Sequence, residues 1–403
     1  MLRFFKENAR WLTAGFILAF GSSFGQTWFI SLFAGEIRAA HGLSDGDWGW
    51  IYMIATLSSA GLLLMRGGLA DTIPLRRLVV GVTALFAIAC LIMAAAQNVW
   101  FLGLAVFMLR FCGQGMFTHI SVTAMGRWFV KTRGRAVALA SLGYQVGEAF
   151  LPLPVIAFVT WFGWRWGFAG VGIILAIGFL PLLFWLLSKE RDPVGDSADV
   201  SALSGLAGRH WTRGDVLRHW LFWALLPLAL TPGWIGTVVF FHQVHVAEVK
   251  GWSLVALAAA YPLYAVVAVT SSLVSGLVCD RFGPQRLLPY LLLPMGVSML
   301  LIGPSGSPIM WGLVLSVMGI SQGLINTFWG AFLPVVYGTR HLGSVRALMT
   351  ALMVISSAVG PWVTGDLIDR GFDFPAQGVG HGVWCILLSV SLVLVARRLR
   401  RTI

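Results

Sequence analysis

The chain has 403 residues, 58% of them hydrophobic and 11% charged, with a formal net charge of +12. Soluble domains carry about 25% charged residues, so the composition excludes an ordinary globular protein. The apolar residues also fall into blocks, which a bilayer requires and a soluble core does not.

About twelve blocks approach the roughly 20 residues of a membrane-spanning helix. In chain order they cover 11–33, 48–66, 78–96, 100–125, 136–161, 166–187, 219–242, 253–278, 286–303, 308–334, 344–368 and 379–396. The first lacks a small-residue cleavage site and reads as a retained helix, not a leader. Before the second, Ser44-Asp45-Gly46-Asp47 offers a hydroxyl and carboxylates that suit helix capping better than ion binding. Ser253 does the same for the eighth. Between the sixth and seventh lies 188–218, which opens Lys189-Glu190-Arg191-Asp192-Pro193 and continues with Gly, Ser, Ala and Asp. This reads as a tether, with a short surface helix from Arg213 to Trp220. The expected architecture is an all-α polytopic protein: a six-helix bundle at 1–187, a cytoplasmic linker at 188–218 and a second bundle at 219–403.

The positive charge is not spread evenly. If the N-terminus is cytoplasmic, all the Lys and Arg residues fall in cytoplasmic segments except Arg38, Arg110, Arg165, Lys250 and Arg370. This bias places both termini in the cytoplasm and the chain in the inner or plasma membrane. The basicity therefore orients the bundle; the lipid bilayer is the expected partner, no nucleic acid is needed, and a monomer suffices. Cys90, Cys112, Cys279 and Cys385 are scattered through apolar segments without metal-ligand spacing, so no metal or cofactor is expected.

The two halves repeat. Gly67-Gly68-Leu69-Ala70-Asp71 with Arg77 recurs 209 positions later as Gly276-Leu277-Val278-Cys279-Asp280 with Arg286. The same offset joins Gly134 to Gly343 and Pro152 to Pro361. A duplicated bundle of this size reads as a transporter with its substrate site between the halves.

These loops, each joining an even-numbered span to the next, resemble the signature loop of the major facilitator superfamily. The second copy continues Asp280-Arg281-Phe282-Gly283; in the first, Thr72 stands where the family often has Arg and Pro74 where it has Gly. Arg110-Phe111-Cys112-Gly113-Gln114-Gly115 resembles a second signature of the same family. Arg127-Trp128-Phe129, Arg133-Gly134-Arg135-Ala136 and Gly163-Trp164-Arg165-Trp166 are similar to strings of its monocarboxylate-porter and oxalate/formate-antiporter branch. The resemblance implies twelve spans in two pseudo-symmetric bundles. It also implies a gating role for Gly67, Asp71, Arg77, Gly276, Asp280, Arg281 and Arg286. The glycines would let helices approach closely and the charges would latch one arrangement of the halves; a plain tight turn is the alternative.

Two ionisable groups sit deep within spans, where charge is expensive and usually functional. Arg110 lies 17 residues from Arg127 and Glu148 lies 13 from Arg135, which puts them roughly 25 Å and 20 Å deep. Their spans are joined by a short loop, so the two side chains are expected to meet. Glu148 is a candidate proton carrier controlled by Arg110 and by an anionic substrate; a permanent structural ion pair is the alternative. Arg110, Gln114 and Ser121 share a helical face, as do Gln322, Asn326 and Trp329, and Ser22, Gln26 and Phe29. The family resemblance makes the first, fourth, seventh and tenth spans the cavity lining. The candidate substrate residues are therefore Gln26, Arg110, Gln114, Thr231, Trp234, Gln322, Asn326 and Trp329, with interhelical hydrogen bonding as the other reading. His242 and His245, near Glu248, read as an interfacial pair or as a pH-sensitive gate, and His119 as a satisfied polar group.

An Arg flanked by amides suits a small oxygen-rich anion. The leading expectation is secondary active transport of a mono- or dicarboxylate by alternating access, proton-coupled or by exchange. No Walker-type loop is present to use ATP directly. Proton-driven export of amphipathic compounds is the alternative; Arg110 argues against cationic cargo, which like charge repels. A sensor or enzyme on a transporter scaffold is a third, with no nucleophile–base constellation to support it.

Overall fold

The computed structural model describes residues 2–66, 69, 73–129, 132–189 and 205–400. Its contacts divide the chain into two compact units, Met1–Ala198 and Asp199–Ile403. The boundary falls within the segment read as a linker.

Unit 1 consists of α1 (Leu2–Gly21), α2 (Thr27–Ser31), α3 (Ala34–His41), α4 (Asp45–Arg66), α5 (Leu75–Ala95), α6 (Val99–Trp128), α7 (Arg133–Phe150), α8 (Pro152–Phe162) and α9 (Trp164–Leu186). The segment from Glu7 to Ser31 and α3 meet at 64°, and α7 and α8 at 46°, so each pair makes one bent pass. Two prolines, Pro152 and Pro154, account for the second bend: each removes an amide donor and crowds the carbonyl four residues earlier. α7 lies along α1 and α6, α5 lies against α9 and α6, and α4 packs on α6. Polar contacts tie both ends of the unit. Arg10 donates to the carbonyls of Trp185 and Leu186, the latter at 2.7 Å. At the opposite end Glu36 accepts from the Trp164 amide at 2.9 Å, and Arg38 pairs with Asp45 at 2.5 Å. Ser44 and Asp47 cap α4 reciprocally, as their types suggest.

Unit 2 consists of α10 (Arg213–Arg218), α11 (Trp220–Phe241), α12 (Gln243–Lys250), α13 (Leu254–Phe282), α14 (Leu293–Ile302), α15 (Pro308–Tyr337), α16 (Leu342–Asp369) and α17 (Phe374–Arg400). Short 3₁₀ turns at Pro284–Arg286 and Leu288–Tyr290 precede α14. The tightest pairings are α13 with α15, α11 with α16, and α14 with α17. α10 is the expected short helix, closed by a Thr212–Asp215 capping box. The stretch before it is not free of unit 2: the Trp211 amide donates to the Tyr337 carbonyl at 3.0 Å. A Cβ on Gly205 would strike the backbone of Val336 and Tyr337.

Among the described residues nine helices are long and apolar enough to cross a bilayer, eleven with the two bent pairs. Leu288–Ile302 is a shorter apolar helix that matches the ninth expected block. The repeat is visible locally. Gly134 and Gly343 are each the second residue of a helix, α7 and α16. Pro361, by contrast, lies inside an unbroken 28-residue helix, where Pro152 starts a new one.

Candidate substrate and coupling site

The first span is broken where the sequence reads Gly21-Ser22-Ser23-Phe24-Gly25-Gln26. Ser22–Gly25 forms a 3₁₀ turn, Gln26 is extended at φ −81° and ψ 155°, and the helix restarts at Thr27. Small polar residues compete with the helical backbone for its own hydrogen bonds, which favours such a break. α6 crosses this point at a glycine pair. A Cβ on Gly113 would lie 2.7 Å from Gly25 Cα, and one on Gly25 would collide with the Leu109 carbonyl. Arg110–Phe117 is wound as a π-helix, a local widening that recurs at functional sites. α7 approaches the same break from another side. A Cβ on Gly143 would strike the Phe16 carbonyl and one on Gly147 the Ser23 hydroxyl. Tyr144 and Glu148, the residues that follow each of these glycines, are thereby held beside the first span.

Arg110 is 1% exposed. Its Nη1 donates to the Gly25 carbonyl and to Thr27 Oγ1, both at 3.2 Å. The Thr27 hydroxyl is itself 2.5 Å from the Tyr52 hydroxyl, and the guanidinium lies 5.1 Å from the centre of the Tyr52 ring. Nε is buried with no partner among the described residues. Among the described residues no carboxylate pairs with this cation. Glu148, 7% exposed, instead accepts from the Tyr144 hydroxyl at 3.0 Å, its one hydrogen bond among the described residues. The expected meeting of Arg110 and Glu148 is thus corrected: they do not form an ion pair. Depth along two neighbouring helices was legible, but the direction of each side chain around its axis was not. Tyr144 connects the pair indirectly, being both the donor to Glu148 and, with Tyr52, an electrostatic neighbour of Arg110. Thr27, Tyr52 and Tyr144 escape sequence reasoning, since nothing in spacing marks a lone hydroxyl as facing a distant Arg.

The remaining first-unit candidates divide. Gln26 is buried and Gln114 half-buried. Ser121 donates to the Gly15 carbonyl at 2.8 Å and Ser22 to the Ala19 carbonyl at 2.7 Å, so both hydroxyls are internal links. Phe29 is a core residue, edge-on to Phe24, Phe33 and Phe168.

In unit 2, Gln322 donates to Asn326 at 3.0 Å, and Asn326 is exposed. Trp329 continues this stripe, against Phe328 and Phe332. An exposed amide on an apolar span, as at Asn326, belongs in a water-filled cavity, not against lipid. Gln322 also faces α11, where a Cβ on Gly236 would stand 3.8 Å from its Oε1. The two candidates from the seventh span have hydrogen-bond partners within unit 2. Thr231 donates to the Pro227 carbonyl at 2.8 Å and accepts from Trp384 Nε1 at 3.0 Å. Trp234 Nε1 donates to His381 Nε2 at 3.2 Å. Their polar atoms join α11 to α17, because the face that carries them turns toward that helix. His242 contacts the Pro361 carbonyl at 3.1 Å, and His245 lies 3.6 Å from Asp373.

Gly67 and Asp71 lie outside the described residues, and Arg77 is exposed at the start of α5. In the second loop Asp280 is exposed and unpaired among the described residues, while Arg281 and Arg286 both lie over Phe282, at 5.2 and 5.5 Å. Gly276 does not make the expected close helix contact within unit 2: a Cβ there would stand 3.8 Å from Thr327 Cγ2, an ordinary distance. The tight crossing of α13 and α15 is at Gly319 and Gly323.

A family model for the Major Facilitator Superfamily matches residues 15–361. The chain belongs to the major facilitator superfamily. It is 23% identical over 368 residues to a probable sulfoacetate transporter, SauU, of Cupriavidus necator, covering 86% of this chain and 84% of that one. It is 24% identical over 350 residues to a 3-(3-hydroxy-phenyl)propionate transporter of Escherichia coli, covering 84% and 82%. Among solved structures, a bacterial homologue of the human lysosomal transporter Spinster, inward-facing and unoccupied, superimposes with a TM-score of 0.73 at 16% identity over 97% of each chain. This superfamily member is accordingly a multi-pass membrane transporter.

Proposed function

We propose that the protein is a secondary active transporter of a small organic anion, a mono- or dicarboxylate, working by alternating access. The observation that carries this reading is Arg110: a cation inside a membrane bundle, held by a carbonyl, a hydroxyl and a ring, with no described carboxylate to neutralise it. A buried charge left uncompensated is strongly destabilising, so the site is electrostatically incomplete without an anion. The unpartnered Nε adds a donor in the plane of the guanidinium fork, the geometry that matches a carboxylate. Within unit 2, Gln322 and the exposed Asn326 are amides of the kind that donate to an oxyanion. Two relatives bear the names of organic acids as cargo, which agrees with this chemistry.

Coupling to protons, or exchange of one anion for another, runs through Glu148 and Tyr144. An anion on Arg110 changes the field at Tyr144, and Tyr144 is the hydrogen-bond donor to Glu148. The charge bias along the chain puts both termini in the cytoplasm and the protein in the plasma membrane.

The test is uptake into proteoliposomes of the purified protein, with short mono- and dicarboxylates, sulfonates and lipophilic cations as competitors. Anions should displace one another. Displacement by lipophilic cations alone would replace this reading with export of amphipathic compounds.

A further inference from the structure

We infer that a groove between α14 and α17 is a binding site for one anionic phospholipid, with the phosphate on Arg397, the glycerol backbone over Val393 and Leu293, its esters at Ser389, and an acyl chain leaving along the open face at Leu387. The groove is open on one side, has a volume of about 320 Å³, and is lined by Leu293, Val390, Val393 and Arg397 with Tyr290 and Ser389. That volume is at the lower end of the roughly 300–1,000 Å³ of small-molecule sites, enough for a glycerol backbone and the start of one chain.

Three observations point to a lipid. The outer face of α17 is apolar and open: Leu387 and Val390 are 62% exposed and Leu394 is 68% exposed. In a transporter that face meets acyl chains, so what enters a side groove beside it is the bilayer. The rim is basic and amphipathic. Arg397 is exposed with no acidic partner among the described residues, and Tyr290 is 59% exposed. Arg and Tyr at a helix end belong at headgroup level, and an anionic leaflet supplies the missing charge.

The third observation is Ser389. It is 2% exposed, lines the groove, and its Oγ has no hydrogen-bond partner among the described residues. Hydroxyls in spans normally bond the carbonyl three or four residues back, and Ser391 on the same helix does so, to Leu388 at 2.7 Å. A buried donor without an acceptor is costly, and the ester oxygens of a glycerolipid are acceptors. Ser389 and Arg397 are eight residues apart, a rise of roughly 12 Å. Side chains on a helix lean toward its N-terminus, so the Arg397 guanidinium reaches back along the groove toward Ser389.

The site also adjoins the loop that carries Asp280, Arg281 and Arg286. Pro289 and Tyr290 belong to the 3₁₀ turn that follows it, and that turn packs on α17. A lipid held here braces the chain leaving that loop, whatever the cargo.

The experiment is native mass spectrometry of the detergent-purified protein, titrated with dioleoyl phosphatidylglycerol or dioleoyl phosphatidylcholine, with sodium phosphate as competitor. One phosphatidylglycerol should be retained about fivefold more tightly than phosphatidylcholine, the effect of a single Arg at an anionic headgroup. Arg397→Gln, at an exposed and unpaired position, should abolish that preference. Val393→Trp, which fills the groove, should weaken both lipids with Arg397 intact. Equal retention of the two lipids by the wild type, an undiminished preference in Arg397→Gln, or displacement by phosphate alone would each overturn the assignment.

Discussion

Gly113→Ala is the sharpest test of how the fold builds the site. A Cβ at this position would lie 2.7 Å from Gly25 Cα, 2.8 Å from Gly25 N and 2.7 Å from Phe86 Cζ. Carbon atoms rest at about 3.5–4.0 Å, so α6 and the broken first span must separate by about 0.8 Å. Gly25 offers only backbone and cannot rotate away as a side chain would. The Arg110–Gly25 bond is already 3.2 Å long, and that separation takes it to about 4 Å, beyond hydrogen-bonding range. Overpacking costs about 1–3 kcal/mol and the lost charge-assisted bond about 1.5–3 kcal/mol, with some overlap between them. The expected result is a lower thermal midpoint in detergent together with a loss of uptake in proteoliposomes. Gly115→Ala is the control, two residues along the same helix. Its Cβ would meet nothing nearer than the Arg110 carbonyl at 3.4 Å, so it should behave as wild type. If Gly113→Ala matches Gly115→Ala in stability and transport, the glycine crossing does not position Arg110.

Tyr144→Phe removes the one described hydrogen bond to Glu148 while keeping the ring. The pH profile of uptake should move in this variant and flatten in Glu148→Gln; wild-type profiles in both would remove the pair from coupling. In unit 2, Gly276→Ala should be tolerated, since Thr327 Cγ2 stands 3.8 Å away, whereas Gly323→Ala would drive a Cβ into the Ala268 carbonyl and to 2.7 Å from Ser271 Cβ. Expression and thermal midpoint should separate the two, and equal tolerance would contradict the α13–α15 crossing. Near the linker, the Thr212 hydroxyl and amide hold the Asp215 carboxyl below the usual carboxylate range. A depressed value means that the cap is present above the unfolded carboxylate's titration near pH 4 and is lost as pH falls through the folded value. Amide exchange at Thr212 and Asp215 should therefore be slow at pH 7 and fast in Asp215→Ala; unchanged exchange would exclude the capping box.

The passes are legible because each needs little more than about 20 apolar residues and a break, and the units because the repeat keeps register over 209 positions. What the register does not reveal is local. Pro152 and Pro361 occupy matching positions, yet only the first bends its span, because Pro154 removes a second donor within one turn. Placing Arg110, Gln114 and Ser121 on one face assumes 3.6 residues per turn, and the π-helical winding of Arg110–Phe117 shifts that face partway along. Helical spacing also cannot say which neighbour a face meets. The polar atoms of Thr231 and Trp234 meet α17, while Gln322 meets α11. The signature around Arg110 is better explained by the structure than by its sequence: Gly113 is small because Gly25 touches it, and Arg110 follows the carbonyl that the break exposes.

The central claim is that Arg110 selects anionic cargo, and uptake of a competing carboxylate by charge variants at this position tests it most directly. Truncating one member of a buried charge pair costs about 2–5 kcal/mol, so Arg110→Gln should weaken apparent affinity at least about thirtyfold. Arg110→Lys keeps the charge but loses the planar fork, and should fall between the two. Variants that fold, transport carboxylate with wild-type affinity and keep the same competitor ranking would contradict the account.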